Sequence, residues 1–225
     1  MSFALNDRLR VIGVRLAGAG DTSGTVEADI EGTLLDAAGE IPRDGRLASL
    51  LLSWVKVHGA FVIVEKLAKL EREREKVHSA AVPWLSALAA FAVFRGDHRW
   101  KILARRSKET RYLFPRAVTE SAVGMKGALE WLKPINFCVP NGSLRIRDDD
   151  VLEPGELVRR NAQYRNRYLY GPSWRADIVT AIERGLRSPA AIARAVGCSY
   201  EPAHRVYRQI ALVKGLPYGI LKHGI

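Results

Sequence analysis

The segment SPAAIARAVGCSYEPAHRVYRQI, residues 188–210, is the most informative part of the chain. Ser188 followed by a proline is typical of a helix start, because serine offers a capping oxygen and proline fits the first turn. Gly197 can adopt the left-handed backbone conformation that a tight turn between helices requires. Ser199 can begin a second helix, with Pro202 tolerated in its first turn. The segment therefore predicts two short helices that meet at Gly197.

Apolar residues of this segment recur at helical spacing. Ile192 and Val196 are predicted to face inward from the first helix, and Ala203, Val206 and Ile210 from the second. At 100° per residue, the opposite side of the second helix carries polar residues. These are Glu201, His204, Arg205 and Arg208.

The spacing of small and apolar residues here resembles the helix-turn-helix family of DNA-binding transcription regulators. Ala193 is followed by Gly197 four positions later, and Ala203 and Val206 follow that glycine by six and nine positions. WRADIVTAIERG supplies a preceding amphipathic helix, a layout similar to winged-helix domains of the ArsR-like kind. The resemblance spans residues 172–212, and it implies that the second helix of the pair enters the major groove of double-stranded DNA.

The resemblance also implies which residues contact DNA. Winged-helix domains place a β-hairpin after the recognition helix, whereas only LVKGLPYGILKHGI follows here. Minor-groove and backbone contacts are therefore expected from the basic stretch VRRNAQYRNRYLYG in place of a full wing. The predicted DNA-binding residues are Ser188, Ser199, Tyr200, Glu201, His204, Arg205, Arg208, Arg165, Arg167 and Arg175.

The charge of the chain favours a polyanionic partner. The net charge is +11 and the pI is about 9.9. Residues 151–225 hold 12 Lys/Arg and 5 Asp/Glu, against 23 and 19 in residues 1–150, so the smaller part carries more of the excess. Such an excess attracts nucleic acid. The alternative is a compact three-helix domain that packs on the N-terminal part and contacts no DNA.

Residues 25–106 show helical periodicity. The most apolar run, AAVPWLSALAAFAVF at 80–94, is shorter than the roughly 20 residues of a membrane-spanning helix and predicts a buried core helix. The N-terminus lacks a signal-peptide core, and Cys138 and Cys198 show no disulfide or zinc-ligand spacing. The sequence thus predicts a cytoplasmic protein without a membrane association.

Asn141-Gly142 joins two short apolar-containing runs and predicts a β-hairpin near residues 136–147. The predicted fold class is mainly α, with an N-terminal helical domain, this short hairpin and a C-terminal three-helix, helix-turn-helix domain. The predicted domains are 1–133, for dimerisation or partner binding; 134–171, a hairpin and basic helical linker; and 172–225, for DNA binding.

The basic stretch RGDHRWKILARRSKETRYLFPR, residues 95–116, admits two interpretations. It is typical of a solvated helix whose Trp100, Ile102 and Leu103 enter the core. Alternatively, it forms a second nucleic-acid surface with Trp100 and Tyr112 available for stacking, or a surface for an acidic protein partner.

Other motifs point to no catalytic chemistry. RVIGVRLAGAGDTSG has Ser23 where a dinucleotide-binding loop would have its third glycine, so a flexible segment is expected. The acidic triplet at 148–150 predicts a surface loop, since no ligand spacing accompanies it. The sequence predicts no metal site, no cofactor and no enzymatic activity.

Together these features predict a sequence-specific double-stranded DNA-binding protein, a transcriptional regulator of bacterial type that acts as a homodimer. One helix reads only a few base pairs, and two-fold pairing is the usual way to gain affinity. The alternative is an antitoxin or phage-defence accessory protein whose N-terminal domain binds a protein partner. A third hypothesis is a nucleic-acid enzyme that uses the C-terminal domain for targeting.

Overall fold

The structure, a computed structural model, describes residues 3–16, 28–78 and 82–216. These residues are mainly helical, as predicted, and the chain divides into two compact units, Met1–Asn161 and Ala162–Ile225. The helices of the first unit are α1 (Phe3–Val11), α2 (Ile30–Glu40), α3 (Arg46–His58), α4 (Val64–His78), α5 (Pro83–Phe94), α6 (Arg116–Lys126) and α7 (Pro154–Arg160). Short 3₁₀ helices span Gly59–Phe61, His98–Ile102, Glu130–Ile135 and Asp148–Asp150.

Helix α5 forms the centre of the first unit. Its residues 84–92 are all buried, and it packs against α2, α3 and the 3₁₀ helices His98–Ile102 and Glu130–Ile135. A helix that is apolar on all sides is stable only when other elements surround it. The predicted core helix is therefore confirmed.

The predicted β-hairpin at residues 136–147 is wrong. Phe137–Cys138 (β2) pairs in parallel with Arg111–Tyr112 (β1), which lies upstream in the chain. The turn at Asn141-Gly142 does form, but it is not followed by a strand that pairs with β2.

The physical reason for this difference is that the chain after the turn bonds to a helix. The amides of Arg145 and Arg147 donate to the hydroxyl groups of Ser49 and Ser53, at 3.1 and 3.0 Å. Two residues of extended chain advance about 6.6 Å and four residues of α-helix about 6 Å, so the two spacings match. Helix α3 therefore takes the place of the second hairpin strand.

The basic stretch at residues 95–116 forms a 3₁₀ helix, an irregular segment and β1 rather than a long helix. Trp100 and Leu103 are buried as predicted, whereas Ile102 is 49% exposed, against the prediction. Because the Trp100 ring is fully buried, it cannot stack on a nucleobase. The stretch therefore contributes core residues, and stacking by Trp100 is excluded, whereas Tyr112 is partly exposed.

The second unit comprises α8 (Ala162–Tyr170), α9 (Trp174–Glu183), α10 (Pro189–Val196) and α11 (Tyr200–Lys214). The residues of α8 were predicted to belong to a linker, but this helix packs against α9 within the second unit. The glycine-rich motif at 17–24 and the end of the segment that follows α11, residues 217–225, lie outside the described residues. Among the described helices, none combines the length and apolar character needed to cross a membrane.

His58 at the end of α3 predicts a pH dependence of stability. Its ring is buried, its Nε2 lies 2.9 Å from the Leu152 carbonyl, and burial lowers its pKa to about 4. Below its ordinary pKa of about 6.5, the unfolded chain binds a proton that the folded chain excludes until about pH 4. The free energy of unfolding should therefore decrease as the pH is lowered through this window, by up to about 1.4 kcal/mol per pH unit.

The measurement is urea unfolding at about pH 7 and at about pH 5. Between these two values, His58 alone should lower the free energy of unfolding by about 2 kcal/mol. His58→Gln keeps a donor for the Leu152 carbonyl but cannot titrate, so it should lose that part of the difference. An equal pH dependence in both proteins would show that His58 is not responsible.

Candidate nucleic-acid interface

One apolar core holds α9, α10 and α11 together. The inward sides of these helices contribute, as predicted, Ile192 and Val196 from α10 and Ala203 and Val206 from α11. Tyr207, which the sequence analysis did not assign to the core, is 1% exposed and joins it. Ile210 is partly buried against the cluster. The core fixes which side of α11 faces outward.

The connection between α10 and α11 is a three-residue turn. Gly197 has φ of +82°, the left-handed conformation predicted for it, and its amide donates to the Ala193 carbonyl at 2.9 Å. The amide of Cys198 donates to the same carbonyl at 3.1 Å, and Ser199 is extended before α11 begins. A glycine-containing turn of this length is typical of helix-turn-helix pairs.

Gly197→Ala should destabilise the second unit by about 1–2 kcal/mol, because an L side chain is strained at this positive φ. A Cβ at Gly197 would meet no atom of the described residues within 4 Å, so the expected penalty is backbone strain. The matched control is Gly124→Ala inside α6, where φ is not positive and space is also open. This control should gain about 0.5–1 kcal/mol. Thermal unfolding followed by circular dichroism measures both, and equal effects would contradict the prediction.

The outward side of α11 carries a row of charged side chains. Glu201, Arg205 and Arg208 are all exposed and follow one another by four and three positions. Neither Arg205 nor Arg208 has a hydrogen bond or ion pair with another side chain in the described part of the chain. Both guanidinium groups are therefore available to an external ligand.

An aromatic pair lies at the start of α11. The rings of Tyr200 and His204 stack, with centroids 5.5 Å apart and an interplanar angle of 25°. Tyr200 is 54% exposed, whereas His204 is partly buried. Tyr200 is thus the more accessible of the two for a ligand.

Arg175 at the start of α9 lies beside α11. Its guanidinium donates to Oε1 of Gln209 at 2.8 Å and lies over the Tyr170 ring, 5.9 Å from the centroid. The structure thus brings this predicted residue close to the outward side of α11. Ser188 and Ser199 are exposed at the starts of α10 and α11, and neither side chain bonds to the backbone as a cap.

Arg167 does not fit its predicted role as a DNA contact. Its side chain is fully buried and bonds to both carboxylate oxygens of Asp177, at 2.8 and 2.9 Å. Gln163 donates to the same carboxylate at 3.1 Å. A guanidinium in this position joins α8 to α9 and cannot reach DNA. Arg165, two positions earlier, is partly exposed and pairs with Glu183 at 3.2 Å.

Sequence reasoning missed one candidate residue, Arg194 on the outward side of α10. Its side chain is exposed and makes no bond with the part of the chain that the structure describes. The sequence contained a signal for this residue. Arg194 lies one position from Ala193 and two from Val196, which face the core, so helical spacing turns its side chain away from the core.

A scan against protein-family models and searches of curated proteins and of solved structures found no match to this chain.

Proposed function

We propose that this chain is a sequence-specific double-stranded DNA-binding protein that regulates transcription, with α11 lying in the major groove. The observation that carries the proposal is the outward side of α11, where Arg205 and Arg208 are exposed and have no partner among the described residues. The helix is fixed on a buried core and follows a three-residue turn. A helix about 10–12 Å across fits a major groove about 12 Å wide.

The charge of the second unit supports this proposal. Residues 162–225 contain ten Lys/Arg and three Asp/Glu, a net charge of +7 in a small unit. Positive charge concentrated in this way supplies the attraction to phosphate on which DNA affinity largely depends. Arginine can also read guanine through two parallel hydrogen bonds.

The proposal assigns different roles to the basic residues. Arg205 and Arg208 on α11 are the candidates for base contacts. Arg194 on α10 is a candidate phosphate contact, since the first helix of such a pair crosses the DNA backbone. Arg175 and Arg165 are further phosphate candidates, each already held by a partner within the unit.

The test is fluorescence anisotropy of the full chain with labelled duplexes from its own upstream region and a scrambled duplex, across a salt series. We expect preference for one sequence and a steep loss of affinity with salt, with a slope of about −0.9 per phosphate contacted. Weak binding that ignores sequence would contradict the proposal. Light scattering with and without DNA tests the homodimer that the proposal includes.

A second candidate function follows from α6 in the first unit. Val118 and Met125 are 59% and 75% exposed, and Thr119 is the only buried residue that this helix contributes among the described residues. An exposed apolar surface is a feature of protein interaction sites. This observation favours a protein partner for the first unit, as in an antitoxin or a phage-defence accessory protein. Co-purification with the product of a neighbouring gene tests it.

A further inference from the structure

The first unit contains a cavity of about 540 Å³ whose wall is rich in arginine. This volume is within the range of about 300–1,000 Å³ that is usual for small-molecule sites. The arginines come from three separate segments of the chain, so the folded unit assembles them. They are Arg10, Arg15, Arg46, Arg145 and Arg147.

Arg145 and Arg147 are held in place through their backbone. Their amides donate to Ser49 and Ser53 of α3, so the extended segment is anchored along that helix. Residues two apart in an extended chain point to the same side. Both side chains accordingly line the cavity. The anchoring fixes the backbone without using either guanidinium group.

The carboxylates near the cavity compensate only part of this positive charge. Arg10 pairs with Asp7 at 3.0 Å, Arg46 with Asp44 at 2.8 Å, and Arg15 lies 3.6 Å from Glu156.

The other acid in the wall, Asp150, accepts a hydrogen bond from the Ser53 hydroxyl at 3.2 Å. Arg145 and Arg147 are exposed, and neither side chain bonds to another described residue. Two guanidinium groups at the cavity are thus free to bind an anion.

The rest of the wall suits a ligand with a less polar part. Leu16, Leu47 and Leu50 line the cavity together with Asn6. The Oδ1 atom of Asn6 is buried and accepts no hydrogen bond from the described residues.

From this geometry we propose that the cavity binds a phosphate-bearing small molecule of nucleotide size. The guanidinium groups of Arg145 and Arg147 bind the phosphate, since their planar donor forks match its oxygens. Leu16, Leu47 and Leu50 contact the less polar part of the same ligand. This site lies in the first unit and does not depend on the proposed DNA-binding function of the second.

Isothermal titration of the full chain with ATP, AMP and adenosine, in a phosphate-free buffer, tests the proposal. ATP and AMP should bind, and adenosine, which lacks the phosphate, should bind far more weakly. Arg145→Gln with Arg147→Gln should weaken nucleotide binding by about tenfold to a hundredfold, because charged hydrogen bonds are lost. Thermal unfolding checks that the variant is folded, and Arg145→Lys with Arg147→Lys, which keeps the charge, should have a smaller effect.

The matched control is Arg95→Gln with Arg106→Gln. These two residues are also exposed, form no side-chain bond in the described part of the chain and do not line the cavity. Equal losses in both double variants would overturn the proposal, because diffuse charge would then explain binding. Absence of binding by both nucleotides would overturn it too. A third result would also overturn it. If a short DNA duplex bound but the nucleotides did not, and the Arg145→Gln, Arg147→Gln variant weakened that binding, the arginines would belong to a nucleic-acid surface.

Discussion

Arg167→Ala is expected to destabilise the second unit by about 3–5 kcal/mol, because it breaks a buried ion pair and removes two charged hydrogen bonds from a buried carboxylate. The Arg167 guanidinium is fully buried and bonds to both oxygens of Asp177. After its removal, Gln163 remains within hydrogen-bond distance of that carboxylate. One neutral amide does not replace two charged hydrogen bonds. Hydrogen exchange resolved by peptide should show faster exchange throughout α8 and α9.

The control for this prediction is Arg165→Ala in the same helix. Arg165 pairs with Glu183, but both side chains are partly exposed, so its loss should cost at most about 1 kcal/mol. Replacing both buried partners, Arg167→Met with Asp177→Leu, should recover much of the lost stability, because both buried charges of the pair are then removed together. If Arg165→Ala and Arg167→Ala changed exchange equally, the buried pair would not have the role assigned to it.

These two arginines show a limit of sequence analysis. Both lie in one basic stretch, and the sequence predicted a DNA contact for each. Their separation by two positions places them on different sides of α8, where Arg167 meets Asp177, ten positions later in the chain. The helix α9 that carries Asp177 was predicted, but its packing against α8 was not. Burial of an arginine depends on this packing, which local pattern does not reveal.

Features governed by local spacing were predicted well. Gly197 between two periodic segments predicted both helices and the turn, because a left-handed position and an apolar face are properties of short sequences. The central helix α5 was predicted from its apolar run in the same way. In each case the residues that determine the structure lie within about one helix length of each other.

Features that depend on distant residues were missed. The turn at Asn141-Gly142 forms, but the pairing of the segment beyond it is set by Ser49 and Ser53, more than ninety positions away. The arginine-lined cavity was missed for the same reason, since its wall combines residues from α1, the start of α3 and residues 145–147, which are distant in the sequence. The individual arginines are visible in the sequence, whereas their common location follows only from the fold.

Arg205→Ala and Arg208→Ala should each weaken binding of the preferred duplex by about 1–3 kcal/mol if the arginine contacts a base. The double variant should lose the sum of the two if the effects are additive. Because both side chains are exposed and lack partners in the described chain, their removal should leave the folded unit intact. The observed losses can then be assigned to DNA binding. Anisotropy with the preferred and the scrambled duplex measures the effect.

Comparing the two duplexes distinguishes the kinds of contact. Loss of a base contact should lower affinity for the preferred duplex and reduce the preference itself, because the base is no longer read. Loss of a phosphate contact should weaken both duplexes alike and reduce the salt slope by about 1. Lys76→Ala with Lys126→Ala removes the same charge from exposed positions of the first unit outside the basic stretch 95–116 and should affect neither measure strongly. If the α11 double variant bound both duplexes as wild type does, α11 would not be the recognition helix, and a protein partner for the second unit would be the better hypothesis.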